Sequence, residues 1–298
     1  EISRYISDSK NPSYQIAIVG AVKAGKSTLI NALLSKKLLP SSNEACTAII
    51  TKVINTNQEN YSAKAYSEKK ELLYEEYDVS YEKMKKWNNN ENISEIEIYG
   101  NIPFANKKEI LNLTLIDTPG PNNSRNSDHQ KILEKYLENI DENTIILYVL
   151  NATQLGITDD SNLLDNLIKN IGDNSKNIIF VLNKLDCFND EDDVLETLAI
   201  VNEYIEKKGI VNPDIFPLAA LPALKIRSEP QSIKQKQKRD YFIDIMNIDE
   251  NLHLEKYSVT KNEDYKLKNM NDEERALVHT GISELEDKII YKITEKEK

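Results

Sequence analysis

The sequence predicts an α/β fold in which a mostly parallel sheet is flanked by helices. Short β-branched or fully apolar runs, typical of buried parallel strands, alternate along the chain with stretches whose apolar residues recur at helical spacing. The first apolar run leads into Gly20–Ser27, which matches the pattern G-x-x-x-x-G-K-S/T without a mismatch. A chain of 298 residues is long enough to bury such a sheet between two layers of helices.

The matched stretch has the flanks that its chemistry requires. Gln15–Val19 before it suits a buried strand, and Ser27–Leu34 after it is rich in helix formers. In that geometry backbone N–H groups surround a polyphosphate, Lys26 bridges its β and γ groups, and the Ser27 hydroxyl ligates Mg²⁺. A glycine-containing turn is the alternative, and the flanks disfavour it. The predicted phosphate loop consists of Gly20, Ala21, Val22, Lys23, Ala24, Gly25, Lys26, Ser27 and Thr28.

Two further segments supply groups for a metal and a terminal phosphate. A loop after the first predicted helix ends at Thr47, where a threonine can give Mg²⁺ a second hydroxyl and sense the γ-phosphate. A β-branched residue that merely opens a strand is the alternative. The apolar run Leu111–Ile116 ends in Asp117-Thr118-Pro119-Gly120, a D-x-x-G motif. There the aspartate holds Mg²⁺ through water, and the Gly120 N–H meets the γ-phosphate.

The predicted strand Asn177–Leu182 ends in Asn183-Lys184-Leu185-Asp186, an N-K-x-D motif that indicates the base. A carboxylate accepts hydrogen bonds from N1–H and the exocyclic amine of guanine, whereas adenine presents an acceptor and the wrong donor. Asp186 would therefore select guanine. Lys184 can lay its aliphatic stem over the purine, and Asn183 can tie this loop to the phosphate loop. A polar turn after a strand is the alternative.

A last predicted strand begins at Ile215 and runs into a loop of small residues at Ala219 and Ala220. The backbone N–H of Ala220 could reach the guanine carbonyl, which is the weakest of the predicted base contacts. With the motifs in this order, the sequence predicts a protein that binds GTP and GDP.

The net charge of −11 argues against a nucleic-acid partner, because neutralising a phosphate backbone requires a basic face. Cys46 and Cys187 match no metal or redox spacing, which favours a reducing cytoplasm. His129, His253 and His279 likewise form no ligand cluster in the sequence.

Neither a membrane span nor a signal peptide is visible in the sequence. The longest apolar run, Thr144–Leu150, is far shorter than the roughly 20 residues that cross a bilayer. No internal repeat or linker is found either, and residues 1–298 are interpreted as one domain.

Two segments of that domain do not fit the alternation of strands and helices. Residues 57–92 are charged and Asn-rich, with a weak helical stripe from Leu72 to Trp87, and are predicted to be an insertion. Residues 225–279 are predicted to be a surface extension. It opens with the basic segment Lys225–Arg239, interpreted as a solvated surface, with membrane or partner contact as the alternative. The apolar face of Thr280–Ile293 predicts a closing helix.

With these motifs the chain resembles the GTPase domain of bacterial dynamin-like proteins. The resemblance rests on the phosphate loop, the loop to Thr47, Asp117–Pro121 and Asn183–Asp186, together with a predicted hairpin before the D-x-x-G strand and the closing helix at Thr280–Leu285. It implies a phosphate-loop GTPase domain with insertions that hydrolyses GTP with Mg²⁺ and pairs as a homodimer through its nucleotide face. In full-length relatives a helical stalk contacts membrane. No stalk is recognised here, so membrane remodelling at the inner face of the cell membrane is implied for the parent protein.

The resemblance also points to catalytic groups and to departures from the family pattern. Lys23, Lys26, Thr47 and Gly120 are the expected catalytic set. Eukaryotic dynamins have a polar residue and a serine where this chain has Val22 and Lys23, which puts their monovalent cation site in doubt here. Guanylate-binding proteins, a related family, carry an arginine finger at the position of Lys23, so this lysine is hypothesised to supply the charge in cis. A solvated lysine is the alternative.

The function could also belong to another class. A nucleotide-gated interaction module would bind GTP to recruit a partner and hydrolyse it slowly. A ribosome-assembly GTPase would share the motifs, but an acidic chain without an aromatic and basic surface disfavours RNA binding. The sequence favours the enzyme, a GTPase whose turnover rises on self-association.

Overall fold

The described part of the chain forms a nine-stranded sheet. The computed structural model describes residues 13–40, 49–106, 109–120, 127–141, 144–156, 158–189, 191–257 and 267–296. In chain order the strands are β1 Tyr14–Val19, β2 Ile50–Asn55, β3 Ser62–Tyr66, β4 Leu72–Glu76, β5 Glu95–Gly100, β6 Leu113–Asp117, β7 Ile145–Asn151, β8 Ile178–Asn183 and β9 Ile215–Leu218. Their spatial order is β4-β3-β5-β2-β6-β1-β7-β8-β9.

Helices cover both faces of this sheet. None of those in the described ranges combines the length and the apolar composition that crossing a bilayer needs. They are α1 Lys26–Leu33, α2 Tyr81–Asn88, α3 Pro103–Asn106, α4 Ser127–Glu138, α5 Thr158–Ile171, α6 Val194–Lys207, α7 Ala220–Arg227, α8 Ile233–Ile248, α9 Asp272–His279 and α10 Ile282–Glu295.

The strand directions confirm the predicted fold class. β1 lies between β6 and β7 and is parallel to both, and β8 and β9 continue the parallel set. On the other side β2 runs antiparallel to β6, β5 is parallel to β2, and β3 and β4 add two antiparallel pairs. The carboxyl ends of the parallel strands therefore meet at one edge of the sheet, where open α/β sheets bind their ligands.

The apolar runs of the sequence are the strands that the two helical layers bury. Ile16 and Ile18 of β1 pack on the side of α1, α7 and α10, whereas Ala17 and Val19 pack on the side of α4, α5 and α6. All six residues of β8 are buried. A strand buried on both faces has no polar side, which explains its continuous apolar sequence.

The helical stripe predicted from Leu72 to Trp87 is wrong in its first part. Leu72 and Leu73 lie in β4, which pairs with β3 and extends the sheet beyond β5. The helix starts only after Ser80, whose side chain caps it by accepting from the Lys83 N–H, and it buries Met84 and Trp87. Pairing between neighbouring strands outweighs a weak periodicity, because it satisfies a whole row of backbone groups.

The prediction of a solvated basic surface is wrong at Arg227. Its Nη1 and Nη2 donate to the two carboxylate oxygens of Glu286 at 2.5 and 3.1 Å, and Nη1 also donates to the Ala32 carbonyl at 3.0 Å. Glu286 is 1% exposed. Helix α7 carries Arg227 against α10 and α1, so this cation lies inside the protein, whereas Lys234 and Lys236 are exposed.

Two of the histidines, which form no ligand cluster in the sequence, lie together in the structure. His253 and His279 lie ring on ring, with centroids 3.7 Å apart and planes 6° from parallel. Glu255 lies beside them, with Oε2 at 3.0 Å from Nδ1 of His279. The packing of α9 against the chain that follows α8 brings these residues together, which no spacing in the sequence could show.

Candidate active site

The stretch Gly20–Ser27 leaves the carboxyl end of β1, at the centre of the sheet, and enters α1. Gly25, the residue before the helix, has φ 102° and provides no side-chain cap. Glycine suits this left-handed backbone, and a Cβ at Gly25 would lie only 2.3 Å from Nδ2 of Asn183. Because no side chain caps the first turn of α1, its backbone N–H groups can bind an anion.

Lys26 lies inside this loop, only 9% exposed. Its Nζ donates to the carbonyl oxygens of Gly20 at 2.8 Å and Ala21 at 3.1 Å. An ammonium carries three donors, and these two contacts fix its position over the loop. The sequence predicts that this lysine contacts the β and γ phosphates.

Ser27 in the first turn of α1 and Asp117 at the end of β6 come together. The Ser27 hydroxyl donates to Oδ2 of Asp117 at 2.8 Å, while Oδ1 is buried and has no hydrogen-bond partner among the described residues. Burial raises the pKa of Asp117, opposed by the charge of Lys26 and the bond from Ser27. A hydroxyl and a carboxylate with an unused oxygen are the hard ligands that Mg²⁺ prefers, so this pair fits the predicted metal.

The rest of the D-x-x-G motif is held against the phosphate loop. Thr118 is buried, and its hydroxyl donates to the Ile18 carbonyl of β1 at 2.7 Å. A Cβ at Gly120 would lie 2.9 Å from Cγ2 of Val22 and 3.3 Å from Nζ of Lys26. The Gly120 backbone therefore lies close to Val22 and to the Lys26 ammonium.

Asn183 joins three loops with one amide. It is 2% exposed, its Nδ2 donates to the Ala24 carbonyl at 2.9 Å, and its Oδ1 accepts from the Ala220 N–H at 3.1 Å. The tie to the phosphate loop that the sequence suggested is therefore present. The Ala220 N–H, which was expected to reach the guanine carbonyl, is engaged by Asn183 instead.

The residues predicted to select the base lie in the base loop, Lys184–Asp186, which follows β8. Lys184 is half-buried with a left-handed φ of 71°, and Asp186 lies in the 3₁₀ turn Leu185–Cys187. Burial raises the pKa of the Asp186 carboxyl, and Lys184 opposes that rise. Burial also lowers the pKa of Lys184, and the charge of Lys23 adds to this, so the phosphate loop and the base loop share one electrostatic environment.

Some predicted residues lie at the margins of the site, and one is not described. Lys23 is exposed with a left-handed φ of 63°, and Thr28 is half-buried within α1. Ala219 is fully buried at the end of β9. Thr47 lies outside the described residues, so its predicted role as a metal ligand stays a prediction.

Sequence reasoning missed two residues beside the base loop. Thr280 is buried, and its carbonyl accepts from the Ala219 N–H at 2.9 Å. No pattern links it to Ala219, because the two meet only through the packing of α10 on β9. The exposed Cys187 places its Sγ 3.9 Å from Oδ2 of Asp186, and only its position next to the N-K-x-D motif could have marked it.

These loops meet where the central parallel strands end, and their contacts define a nucleotide-binding protein of the phosphate-loop class. The model of a family described as the dynamin family matches residues 16–185, more than half of the chain. The chain belongs to the dynamin family and is a GTPase domain, as its sequence predicted.

The chain resembles curated proteins in sequence and a solved structure in fold. It is 31% identical over 219 residues to an uncharacterised protein in the xynA 3′ region of Caldicellulosiruptor sp. (strain Rt8B.4), covering 72% of this chain and 51% of that protein. It is 26% identical over 264 residues to a bacterial dynamin-like protein of Nostoc punctiforme, covering 78% of this chain and 36% of that protein. A solved structure of an oligomerised bacterial dynamin pair, described as providing a mechanism for the long-range sensing and tethering of membranes, matches with a TM-score of 0.58 at 19% identity, covering 84% of this chain and 40% of that one. The chain spans about half of these relatives or less.

Proposed function

We propose that GTP hydrolysis by this domain depends on Mg²⁺ and accelerates when two copies associate through their nucleotide faces. The observation that carries the metal requirement is the buried Asp117 carboxylate, which has one oxygen bonded to Ser27 and the other without a partner in the described chain. Leaving a buried carboxylate oxygen unpaired is costly, and a cation with its water shell would remove that cost.

Ser27 and Asp117, with Thr47 from the loop before β2, would hold the ion. When bound, Mg²⁺ neutralises charge on the β and γ phosphates and orients them. The position of β2 supports the role of Thr47, because Thr51 of that strand lies opposite Asp117 in the sheet register. Thr51 follows Thr47 by four residues in the chain.

The protein groups of the phosphate loop act by position and charge. Lys26 would contact the β and γ phosphates from its place over the loop, and the Gly120 N–H would meet the γ-phosphate. No glutamine follows Gly120, since Pro121 stands there, so the attacking water would be held by backbone groups or by another side chain. Lys23, exposed at the rim, would place a positive charge near the bridge between the two phosphates.

The base loop would give the site its preference for guanine. Asp186 would accept from both guanine donors, and the stem of Lys184 would cover the purine. Because the Ala220 N–H already donates to Asn183, it could serve the guanine carbonyl only as a shared donor. Asn183 would then act mainly by holding the base loop, Ala220 and the phosphate loop in register.

Pairing and membrane action extend the proposal beyond this chain. The loops near Thr47 and Gly120, together with Lys23, would form the dimer face. In the longer parent protein a stalk would carry the domain to the inner face of the cell membrane, in the cytoplasm, for membrane remodelling. The partial coverage of the relatives supports a longer parent. The net charge of −11 supports a role without nucleic acid.

The proposal is tested by GTP turnover per chain, measured from about 0.5 to 50 μM protein, with Mg²⁺ and with EDTA. We expect turnover per chain to rise with concentration and to disappear in EDTA. A matched variant, Asp117→Asn, should lose turnover while keeping its thermal melting temperature. Turnover that is slow and independent of concentration would instead favour the nucleotide-gated interaction module.

A further inference from the structure

Two histidines and a glutamate converge outside the loops of the nucleotide site. His253 follows the 3₁₀ turn Glu250–Leu252, Glu255 lies in the 3₁₀ turn Leu254–Tyr257, and His279 is the last residue of α9. Their ligand atoms all lie within 4.8 Å of one another. His279 is 4% exposed, and the other two are half-buried, so the cluster is shielded from bulk water.

The polar atoms that face one another in this cluster are unsatisfied. Nε2 of His253, Oε2 of Glu255 and Nδ1 of His279 are all buried without a hydrogen-bond partner among the described residues. Nδ1 of His279 and Oε2 of Glu255 are 3.0 Å apart, but they are not aligned for a hydrogen bond. Buried polar atoms are nearly always paired, so three of them around one point indicate a bound group.

The hydrogen bond made by the Nδ1 nitrogen of His253 supports a metal ion as the bound group. The backbone carbonyl of Asn247 accepts a hydrogen bond from His253. Because Nε2 has no partner, this bond goes through Nδ1, which leaves Nε2 with a lone pair directed away from Asn247. Histidines that ligate metals typically donate their other N–H to a carbonyl or carboxylate in this way.

We propose that His253, Glu255 and His279 bind one divalent transition-metal ion, with zinc as the best match. Two imidazoles and one carboxylate form an established zinc ligand set, completed by a water molecule. Imidazole ligands disfavour Mg²⁺ and Ca²⁺, which prefer sets made only of oxygen atoms. The site thus differs in chemistry from the Ser27–Asp117 pair of the nucleotide site.

Binding requires a small rearrangement of the side chains. Tetrahedral zinc with bonds of about 2.0–2.1 Å brings its ligand atoms to roughly 3.3 Å from one another, closer than the present maximum of 4.8 Å. The stacked rings are nearly parallel, so one imidazole must turn about its Cβ–Cγ bond to direct its lone pair at a shared ion. That torsion is broad in histidine, and the turn is therefore accessible.

The ion would join the two 3₁₀ turns after α8 to the end of α9. The residue that follows His279 is Thr280, whose carbonyl holds the Ala219 N–H beside the base loop. Because the unfolded chain lacks the assembled site, metal binding should raise the free energy of unfolding.

The test is a titration of chelator-treated protein with Zn²⁺ by calorimetry, without nucleotide or Mg²⁺, together with visible absorption after Co²⁺ addition. We expect one Zn²⁺ per chain with a dissociation constant of about 1 μM or below, and a rise in melting temperature of roughly 5 °C at saturation. His253→Ala and Glu255→Gln should each weaken binding at least about tenfold and remove the Co²⁺ absorption bands. Both residues are half-buried, so these variants are expected to fold, which melting curves without metal check.

Two control variants separate this cluster from other metal-binding groups. His129→Ala removes the remaining histidine, and Cys187→Ser removes the thiol beside Asp186. Both should bind Zn²⁺ like the wild type. The proposal is overturned if the wild type binds no Zn²⁺, if binding survives in the folded His253→Ala variant, or if it is lost in Cys187→Ser.

Discussion

Two aspartates, one at the end of β6 and one in the turn after β8, have different surroundings that suit different roles. Burial raises the pKa of both Asp117 and Asp186. Asp117 faces the ammonium of Lys26 and the Ser27 hydroxyl, an arrangement suited to a metal next to phosphates. Asp186 lies two residues after the half-buried Lys184, an arrangement that suits the edge and the face of a base.

Asp186→Asn should change the preferred nucleotide. An asparagine offers a donor where guanine also has a donor, so GTP affinity should fall about 10- to 100-fold. Xanthosine triphosphate has a carbonyl in place of the amine and should bind the variant better than GTP does. Calorimetric titrations with GTP, ATP and xanthosine triphosphate measure this, with Glu191→Gln at an exposed position nearby as the control. Equal binding of ATP and GTP by the wild type would contradict the role of Asp186.

Lys23→Ala should lower kcat and leave GTP affinity nearly unchanged. The residue is exposed at the rim of the loop, and a charge that acts only as the phosphate leaves contributes to the transition state alone. Arginine fingers are worth about 10³ to 10⁵ in rate, and a lysine without the bidentate fork should give less.

Lys23→Gln keeps the stem of the side chain and serves as a matched variant without the charge. The wild type should hydrolyse GTP equally fast in Na⁺, K⁺ or a bulky organic cation at one ionic strength. Strong activation by K⁺, or an unchanged kcat in Lys23→Ala, would rule out this role.

Asp160 should make stability depend on pH. The Tyr148 hydroxyl donates to its carbonyl and to Oδ1, both at 2.9 Å, and burial raises the pKa of Asp160 from 3.8 to about 6 against the opposing Tyr148 bond and lysine charges. Because the folded pKa is the higher one, the stabilising effect is complete below pH 3.8 and is lost as pH rises through about 6.

Between pH 4.5 and 7.5 the wild type should therefore lose about 2 kcal/mol of unfolding free energy relative to Asp160→Asn. Urea unfolding of both proteins across this range provides the comparison. The asparagine can still accept from Tyr148, so the variant tests the charge and not the hydrogen bond. Parallel pH curves for the two proteins would show that Asp160 titrates normally.

At the scale of elements, one buried ion pair holds three helices together. Arg227 at the end of α7 binds Glu286 of α10 through two hydrogen bonds and also the Ala32 carbonyl of α1. Since α1 begins with Lys26 and Ser27, this contact supports the helix that carries the phosphate site.

Arg227→Ala should lower the unfolding free energy by roughly 3–5 kcal/mol, because it leaves the Glu286 carboxylate buried without its cation. The double variant Arg227→Leu/Glu286→Leu removes both charges and should recover most of that loss. Urea unfolding of the single and double variants measures the difference. If Arg227→Ala is as stable as the wild type, the ion pair with Glu286 contributes nothing to the free energy of unfolding.

At the scale of the whole molecule, we expect two copies to pair across their nucleotide sites, as the family resemblance implies. Light scattering coupled to size-exclusion chromatography should show a dimer with GDP and aluminium fluoride and mainly monomer with GDP alone. The protein concentration should be roughly tens of micromolar, because a higher concentration favours association. A monomer in both conditions would count against pairing by this chain.

The sequence by itself determined the parts of the protein whose chemistry is local. The phosphate loop, the D-x-x-G and the N-K-x-D motifs each need particular side chains at fixed spacing, and the buried parallel strands need continuous apolar runs. Those requirements appear in consecutive residues, so the fold class and the family were predicted correctly.

Only the tertiary structure decided which distant groups meet. It brings Ser27 to Asp117, makes Asn183 the tie among three loops, pairs Arg227 with Glu286, and stacks His253 on His279. It also places Leu72 in a strand, where pairing outweighs the helical spacing. The physical reason is that strand register and helix packing fix these contacts, and both depend on burial across the whole sheet, which no local window of sequence contains.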